Sequence, residues 1–322
     1  MPPTPIQPAK LRLPDSGIKL RQLRNFIAVL EAGSLRRAAE MLGLTEPALS
    51  KSIRQLEGLL QVPLLDRGPR GMRATAYGEL LAVHARTACN ELDQAVEGLG
   101  ELRGNTRGIV CVGTGPSCAL IELPQAIVRF QARCPDVRIV VREGLTYELV
   151  PQILQGELDF AIVSAEPDVA DPDLMMQPLL ASEVRIIARQ GHPLAGAAEL
   201  PATALIGARW LLPPRKDTVR MNFERNHARL KLGDLNVVAE SASLLLILSL
   251  LSSTDCLAVV PVAAATLFAF GDKRFSVLNI GGFGWHRQFS LVRRARVTLP
   301  PGATMLIREL KSICTALSPN AA

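Results

Sequence analysis

Aromatic side chains are scarce in these 322 residues, at 4%, which speaks against a stacking platform for single-stranded nucleic acid. Histidine is scarcer still, and the cysteines (Cys89, Cys111, Cys118, Cys134, Cys256, Cys314) include no Cys-x-x-Cys pair. Zinc needs soft ligands converging at short spacing, so no metal and no cofactor are expected. The thiols are scattered, mostly within apolar runs, the usage of reduced, buried cysteines in a cytoplasmic protein. Long apolar runs are missing too. The most apolar stretch, 244–270, is interrupted by Ser252, Ser253, Thr254, Asp255 and Pro261, whereas a membrane span takes about 20 unbroken residues. Residues 1–18 carry five prolines and no apolar core of a signal peptide, so they read as a flexible leader and no membrane partner is expected.

Catalytic signatures are absent as well. Gly113-x-Gly115 lacks the third glycine and the ribose-binding acid of a dinucleotide fingerprint. Ser117 has no nucleophile-elbow pattern around it, and no acid–base or nucleophile–base set converges. The chain is therefore read as not an enzyme. The alternative kept open is an α/β-domain enzyme that uses its N-terminal helices as a dimerisation arm. Truncation of residues 1–76 separates the two, because it would abolish DNA binding in a regulator and spare catalysis in an enzyme.

What is present is ordinary for a globular chain, 48% apolar and 20% charged, with length for two or three domains. From Leu20 the spacing of Leu23, Phe26, Ile27 and Leu30 predicts a helix that stops at Gly33. Ser34 is placed to cap a second helix, on which Leu35, Ala38, Ala39 and Leu42 share a face. After the turn at Gly43-Leu44, Thr45 caps a third helix with Pro47 in its first turn. Along it Leu49, Ile53, Leu56 and Leu60 form a buried stripe. Short alternating segments around Gly68-Pro69-Arg70-Gly71 then predict a hairpin.

Three short helices and a hairpin, with a tight turn between the second and third helices, describe a winged helix-turn-helix. Opposite the buried stripe stand Ser50, Lys51 and Arg54, with Glu46 and Pro47 at the tip, suited to base edges and phosphates in a major groove. The hairpin adds Arg67, Arg70 and Arg73 for phosphate or minor-groove contact. Residues 19–78 hold ten basic and five acidic side chains, nearly the whole +6 surplus of the chain. This is an electrostatic footprint for double-stranded DNA.

A long helix opens at Tyr77, with Leu81, Ala85, Ala88, Leu92, Ala95, Leu99 and Leu102 at heptad spacing. Such a seam needs a partner, most simply its own copy. Beyond Arg107 apolar runs alternate with amphipathic helices: strand 109–113, helix 118–133, strand 137–141, helix 146–156, strand 158–164, the βαβαβ texture of a parallel sheet. A second round places strands near 184–188, 209–212, 235–239 and 256–260 and helices near 217–229, 243–251 and 261–269. Strand-like segments at 274–278 and 288–293 and a helix over 302–317 close the chain.

The run Ser34-Leu35-Arg36-Arg37-Ala38-Ala39-Glu40-Met41-Leu42, then Leu44-Thr45-Glu46-Pro47-Ala48-Leu49-Ser50-Lys51-Ser52-Ile53-Arg54-Gln55-Leu56-Glu57, resembles the LysR-type transcriptional regulators. Val62-Pro63-Leu64-Leu65-Asp66-Arg67 and Thr75-Ala76-Tyr77-Gly78 continue the likeness. Three positions depart from it: Glu46 stands where the family usually has Gln, Gln61 where it has Gly, and Leu65 where it has Phe. The resemblance adds Ser34 and Arg36 to the DNA-binding set. It implies a fold of α/β class with an N-terminal all-α winged helix-turn-helix and a two-lobed, periplasmic-binding-protein-like (type 2) effector domain. The domains expected are a leader over 1–18, the DNA-binding domain over 19–76, a dimerising linker helix over 77–104 and the effector domain over 105–322. Within the last, lobe one takes about 105–180 and 285–322 and lobe two about 181–284. The same resemblance implies a homodimer or homotetramer through helix 77–102, operator DNA, a small-molecule effector, and RNA polymerase as a further contact.

Effector candidates follow from strand ends and helix starts, where free N–H groups favour anions. Lobe one offers Thr114, Gly115 and Ser117 after the first strand, Thr146 and Tyr147 after the second, and Ser164 at the end of the third. Lobe two offers Arg215, Lys216 and Thr218 before one helix and Ser241 and Ser243 before another. Arg215 and Lys216 favour a carboxylate or sulfonate. Hydroxyls at helix starts also serve simply as caps, the plainer reading of each. The histidines, Trp210 and Trp285 read as core or surface.

Overall fold

The computed structural model describes residues 17–68, 71–102, 108–164, 171–268 and 275–317. They fall into two compact units divided between Val96 and Glu97.

In the first unit α1 (Leu20–Ala32), α2 (Leu35–Leu42) and α3 (Glu46–Leu60) precede the hairpin β1 (Leu65–Gly68) and β2 (Gly71–Ala74). Helix α4 (Ala76–Leu102) follows. The apolar stripes meet in one core of Phe26, Val29, Ala38, Leu49, Leu56 and Leu64. Gly33 and Gly43 end α1 and α2 in the left-handed conformation, at φ 64° and 65°, where a Cβ would be strained. Ser34 occupies the N-cap of α2 without a side-chain bond. Thr45 does cap α3, its hydroxyl accepting from the Ala48 N–H at 3.4 Å. Thr75 caps α4 by accepting from Gly78 N–H at 3.0 Å, so that helix starts at Ala76, one residue ahead of the Tyr77 start read from the pattern.

The heptad row of α4 divides between two faces. Ala85 turns inward with Ala82 and Cys89, while Leu92 and Leu99 are exposed. Two ion pairs join α1 to this side of α4, Arg24 with Asp93 at 2.5 Å and Glu31 with Arg86 at 3.7 Å. Tyr77, Leu80, Leu92, Val96 and Leu99 remain as exposed apolar side chains.

Beyond the end of α4, the second unit continues with β3 (Ile109–Thr114), α5 (Pro116–Leu120), α6 (Glu122–Gln131), β4 (Arg138–Glu143), α7 (Thr146–Leu154) and β5 (Phe160–Ser164). The single helix expected over 118–133 is thus divided at Ile121 (φ −115°, ψ −67°), which ends α5 and begins α6. A long β6 (Leu174–Arg189), β7 (Arg209–Leu212), α8 (Thr218–Arg229), β8 (Asn236–Glu240), α9 (Leu244–Ser252), β9 (Leu257–Pro261) and α10 (Val262–Leu267) follow. The chain closes with β10 (Phe275–Leu278), β11 (Trp285–Arg294) and α11 (Pro301–Leu317).

The sheet runs β4-β3-β5-β11-β6-β9-β7-β8, with β10 also on β6. Pairing is parallel among β3, β4 and β5 and among β7, β8 and β9, while β11 and β6 are antiparallel to each other and to their outer neighbours β5 and β9. These two long strands serve both halves of the sheet. The strand expected at 184–188 is the second half of β6; its first half contains Pro178, which speaks against a strand in the sequence and sits here where the register with β11 shifts. One lobe packs Val112, Phe130, Phe160, Phe289 and Leu306 around α6 and α11. The other packs Trp210, Phe223, Leu257 and Phe283. A cleft therefore lies where β6 and β11 cross, at the strand ends that open α5, α7, α8 and α9.

Candidate functional site

In the first unit, α3 buries Leu49, Ile53 and Leu56 and leaves Glu46, Pro47, Lys51 and Arg54 exposed, with Ser50 half-buried. The stripe dictates this orientation, because burying it turns positions 47, 50, 51 and 54 outward. Ser52 is held inward by the Asn25 side-chain amide at 2.8 Å. Arg36 is exposed and ion-paired to Glu40 at 3.2 Å, an arrangement worth a few tenths of a kcal/mol at most, about 0.3–0.5. Arg73 is exposed on β2 and Arg67 lies on β1; Arg70 falls outside the described residues.

The hairpin is tied to the helices at two points. Glu57 on α3 accepts from the Leu64 and Leu65 N–H groups at 2.8 and 3.2 Å. Met72 N–H donates to the Gly33 carbonyl at 2.9 Å. Beside it Gly71 has φ +101°, and a Cβ there would stand 2.5 Å from that same carbonyl oxygen. The wing is thus set rigidly beside the exposed face of α3. Glu57, read from sequence only as a charge, is a positioning residue.

In the second unit two adjoining cavities share Leu145, Asp217 and Arg287 in their walls. The larger is lined by Ser117 and Ser241 and by apolar side chains from both lobes, among them Leu145, Val219, Leu244, Ile247 and Val259. The smaller touches Gly115, Thr146, Ser164, Lys216 and Thr218. Thr114 and Ser243 line neither and Arg215 points into solvent.

Several of these hydroxyls are already engaged. Thr114 donates to the Gly115 carbonyl at 3.2 Å and Thr146 to the Ser164 carbonyl at 2.9 Å. Ser241 accepts from Ser243 N–H, and Ser243 caps α9 by accepting from Leu246 N–H at 3.3 Å. Asp217 caps α8, accepting from Val219 N–H at 2.7 Å. Two contacts bridge the lobes: Ser164 to Thr218 at 3.0 Å between hydroxyl oxygens, and the Lys216 ammonium 5.3 Å from the centre of the Tyr147 ring.

Two cleft donors have no such use. Ser117 Oγ and Arg287 Nε are sealed from solvent without a hydrogen-bond partner. Burial lowers the Arg287 guanidinium from its ordinary value, with Asp217 pulling the other way. Behind Ser117, burial pushes the Cys118 thiol well up and the Cys314 thiol up to about 12, so neither supplies a thiolate. Sequence reasoning missed Arg287. Its signal was the alternation Trp285-x-Arg287-x-Phe289, which puts a cation on the same strand face as two aromatic rings. Among the described residues no cluster of His, Cys, Asp and Glu fits a metal, and no helix is long and apolar enough to cross a membrane.

Comparison with known proteins agrees with both units. Residues 20–79 match the family described as bacterial regulatory helix-turn-helix protein, lysR family, and residues 103–315 match the LysR substrate binding domain. The HTH-type transcriptional regulator GalR of Pseudomonas putida is 31% identical over 92% of this chain and 74% of its own length. The SDS degradation transcriptional activation protein of a Pseudomonas species is 32% identical over 88% of this chain and 92% of its own. Among solved structures, the LysR family regulator CbnR superposes with a TM-score of 0.66 at 19% identity, covering 92% of this chain and 99% of that one. CbnR has also been solved in complex with its target DNA.

Proposed function

The chain belongs to the LysR family of transcriptional regulators, and on that premise we propose how its DNA-binding and effector-binding units divide the work. Helix α3 enters the major groove of double-stranded operator DNA. Lys51 and Arg54 take guanine or phosphate, Ser50 takes either, and Glu46 at the tip accepts from a cytosine amino group. Ser34, Arg36, Arg67, Arg70 and Arg73 hold the flanking backbone. The observation that carries this reading is the exposure of Lys51 and Arg54 directly opposite the buried Leu49, Ile53 and Leu56.

The exposed apolar side chains of α4 join two copies, and pairs of dimers build a tetramer. An anionic effector seated between the lobes draws on Gly115, Ser117, Thr146, Ser164, Lys216, Thr218 and Ser241, and its binding changes the tetramer's shape and the bend or spacing of the half-sites. Six free cysteines support a cytoplasmic location, where RNA polymerase is the further contact.

A gel-shift titration tests this, using DNA that flanks the protein's own gene, two salt concentrations and a random competitor. Selective retardation surviving the higher salt is expected. Binding that is unselective and lost at higher salt would leave only a basic surface.

A further inference from the structure

We propose that Arg287 and Ser117 form a single-anion subsite, and that the effector is a small monocarboxylate with an apolar body. This rests on the cleft being the effector site and goes on to the chemistry it selects.

Native proteins leave few buried polar atoms unpaired, and each needs an explanation. Among the described residues four side-chain atoms are in that state, and two of them, Ser117 Oγ and Arg287 Nε, belong to residues lining one cavity. They come from different elements, α5 and β11, so one local distortion does not account for both. The guanidinium is held in place by Phe289, whose ring centre lies 4.6 Å from Arg287 Cζ. A planar fork fixed in this way matches the two oxygens of a carboxylate. Ser117 supplies a further donor.

The surroundings narrow the class. Asp217 lies in the same wall and acts on Arg287 electrostatically, so it opposes a second negative charge on the ligand and disfavours dicarboxylates and phosphate dianions. Lys216 sits over Tyr147, and Ser241, which accepts from the Ser243 N–H, keeps only its own O–H to offer a ligand. The polar side chains of the larger cavity are Ser117, Asp217, Ser241 and Arg287, few for the several hydroxyls of a sugar, which are costly to bury unpaired. Val219, Leu244, Ile247 and Val259 instead offer an apolar wall.

The test is calorimetry and thermal shift on the full chain with benzoate, isovalerate, benzamide, phthalate and phenyl phosphate. Benzoate or isovalerate is expected to bind about tenfold or more tightly than uncharged benzamide and the two dianions, the value of a charge-assisted hydrogen bond. Arg287→Met should remove that preference in a chain that its ligand-free melting curve shows to be folded. Ser117→Ala should weaken the carboxylate about fivefold. Equal binding of benzoate and benzamide, benzoate binding undiminished in Arg287→Met, or no binding by either monocarboxylate overturns the proposal. The comparison of benzoate with benzamide needs no variant, so misfolding of Arg287→Met does not shelter it. Operator gel shifts run in parallel separate the two levels. Retained operator binding with no carboxylate preference refutes the subsite alone, whereas loss of selective operator binding by the unmodified chain refutes the regulator reading.

Discussion

The hydroxyl oxygens of Ser164, at the end of β5, and Thr218, at the start of α8, stand 3.0 Å apart across the cleft. One belongs to each lobe, and the Lys216 ammonium over the Tyr147 ring makes a second bridge nearby. A hydrogen bond of this kind contributes about 1 kcal/mol, enough to shift a lobe equilibrium several-fold without locking it. Thr218→Val and Ser164→Ala should each raise amide exchange in the 213–219 segment by a factor of about five. The double variant should add little to either single one, because each removes the same bond. Additive effects would show that the two hydroxyls do not act on each other.

Arg54 and Arg73 are both exposed, on α3 and β2, yet different consequences are expected of them. Arg54→Ala should cost about 1–3 kcal/mol on the operator and far less on random DNA, as loss of a base contact does. Arg73→Ala should weaken all sequences alike and reduce the salt slope by about 1, as loss of a phosphate contact does. Filter-binding titrations over a salt series check both. Equal losses on every sequence for Arg54→Ala would reassign it to the backbone.

The sequence made the helices of the first unit readable because one stripe on each faces one core: Leu49, Ile53 and Leu56 have no competing role. The α4 seam was only partly legible. Its row at 81, 85, 88 and 92 runs within a fraction of a turn of the row at 78, 82, 85 and 89 that meets the rest of the unit, and spacing cannot separate two overlapping apolar faces. In the cleft, a hydroxyl that caps a helix and one that meets a ligand look alike in sequence. The structure spends Thr146, Ser241 and Ser243 on neighbouring backbone and leaves Ser117 unspent. Arg287 went unread because β11 was judged by its apolar content, while its register places a cation on an inward face.

Gln61 is the C-cap of α3 at φ 56°, ψ 30°, a left-handed conformation costing a side-chain-bearing residue about 1–2 kcal/mol. Its amide recovers part of this by donating to the Gly58 carbonyl at 2.6 Å. Glycine adopts the conformation freely but loses that bond and has more freedom in the unfolded chain. The balance for Gln61→Gly is a gain of about 0.5 kcal/mol in the stability of the first unit. Urea unfolding followed on the isolated 17–96 segment and on the full chain measures it. A loss of stability would mean that the Gly58 bond outweighs the backbone strain.

His227 lies buried on α8 with its ring 5.8 Å from that of Phe223. Burial lowers its pKa from the ordinary 6.5, against a smaller upward pull from Glu224. The unfolded chain therefore takes up this proton more readily than the folded one. The stability associated with neutral His227 is complete above about pH 6.5 and is lost as pH falls through the lowered folded value. Phe223 joins Trp210 and Phe283 in the same core, so protonation loosens the lobe that carries α8 and the 213–217 loop of the cleft. His227→Phe keeps an aromatic ring against Phe223 and removes the titrating group. Its melting temperature should fall less than that of the unmodified chain between pH 7 and pH 5, a window bracketing the ordinary histidine value of about 6.5. Parallel declines in the two proteins would assign the acid sensitivity to other groups, the carboxylates among them.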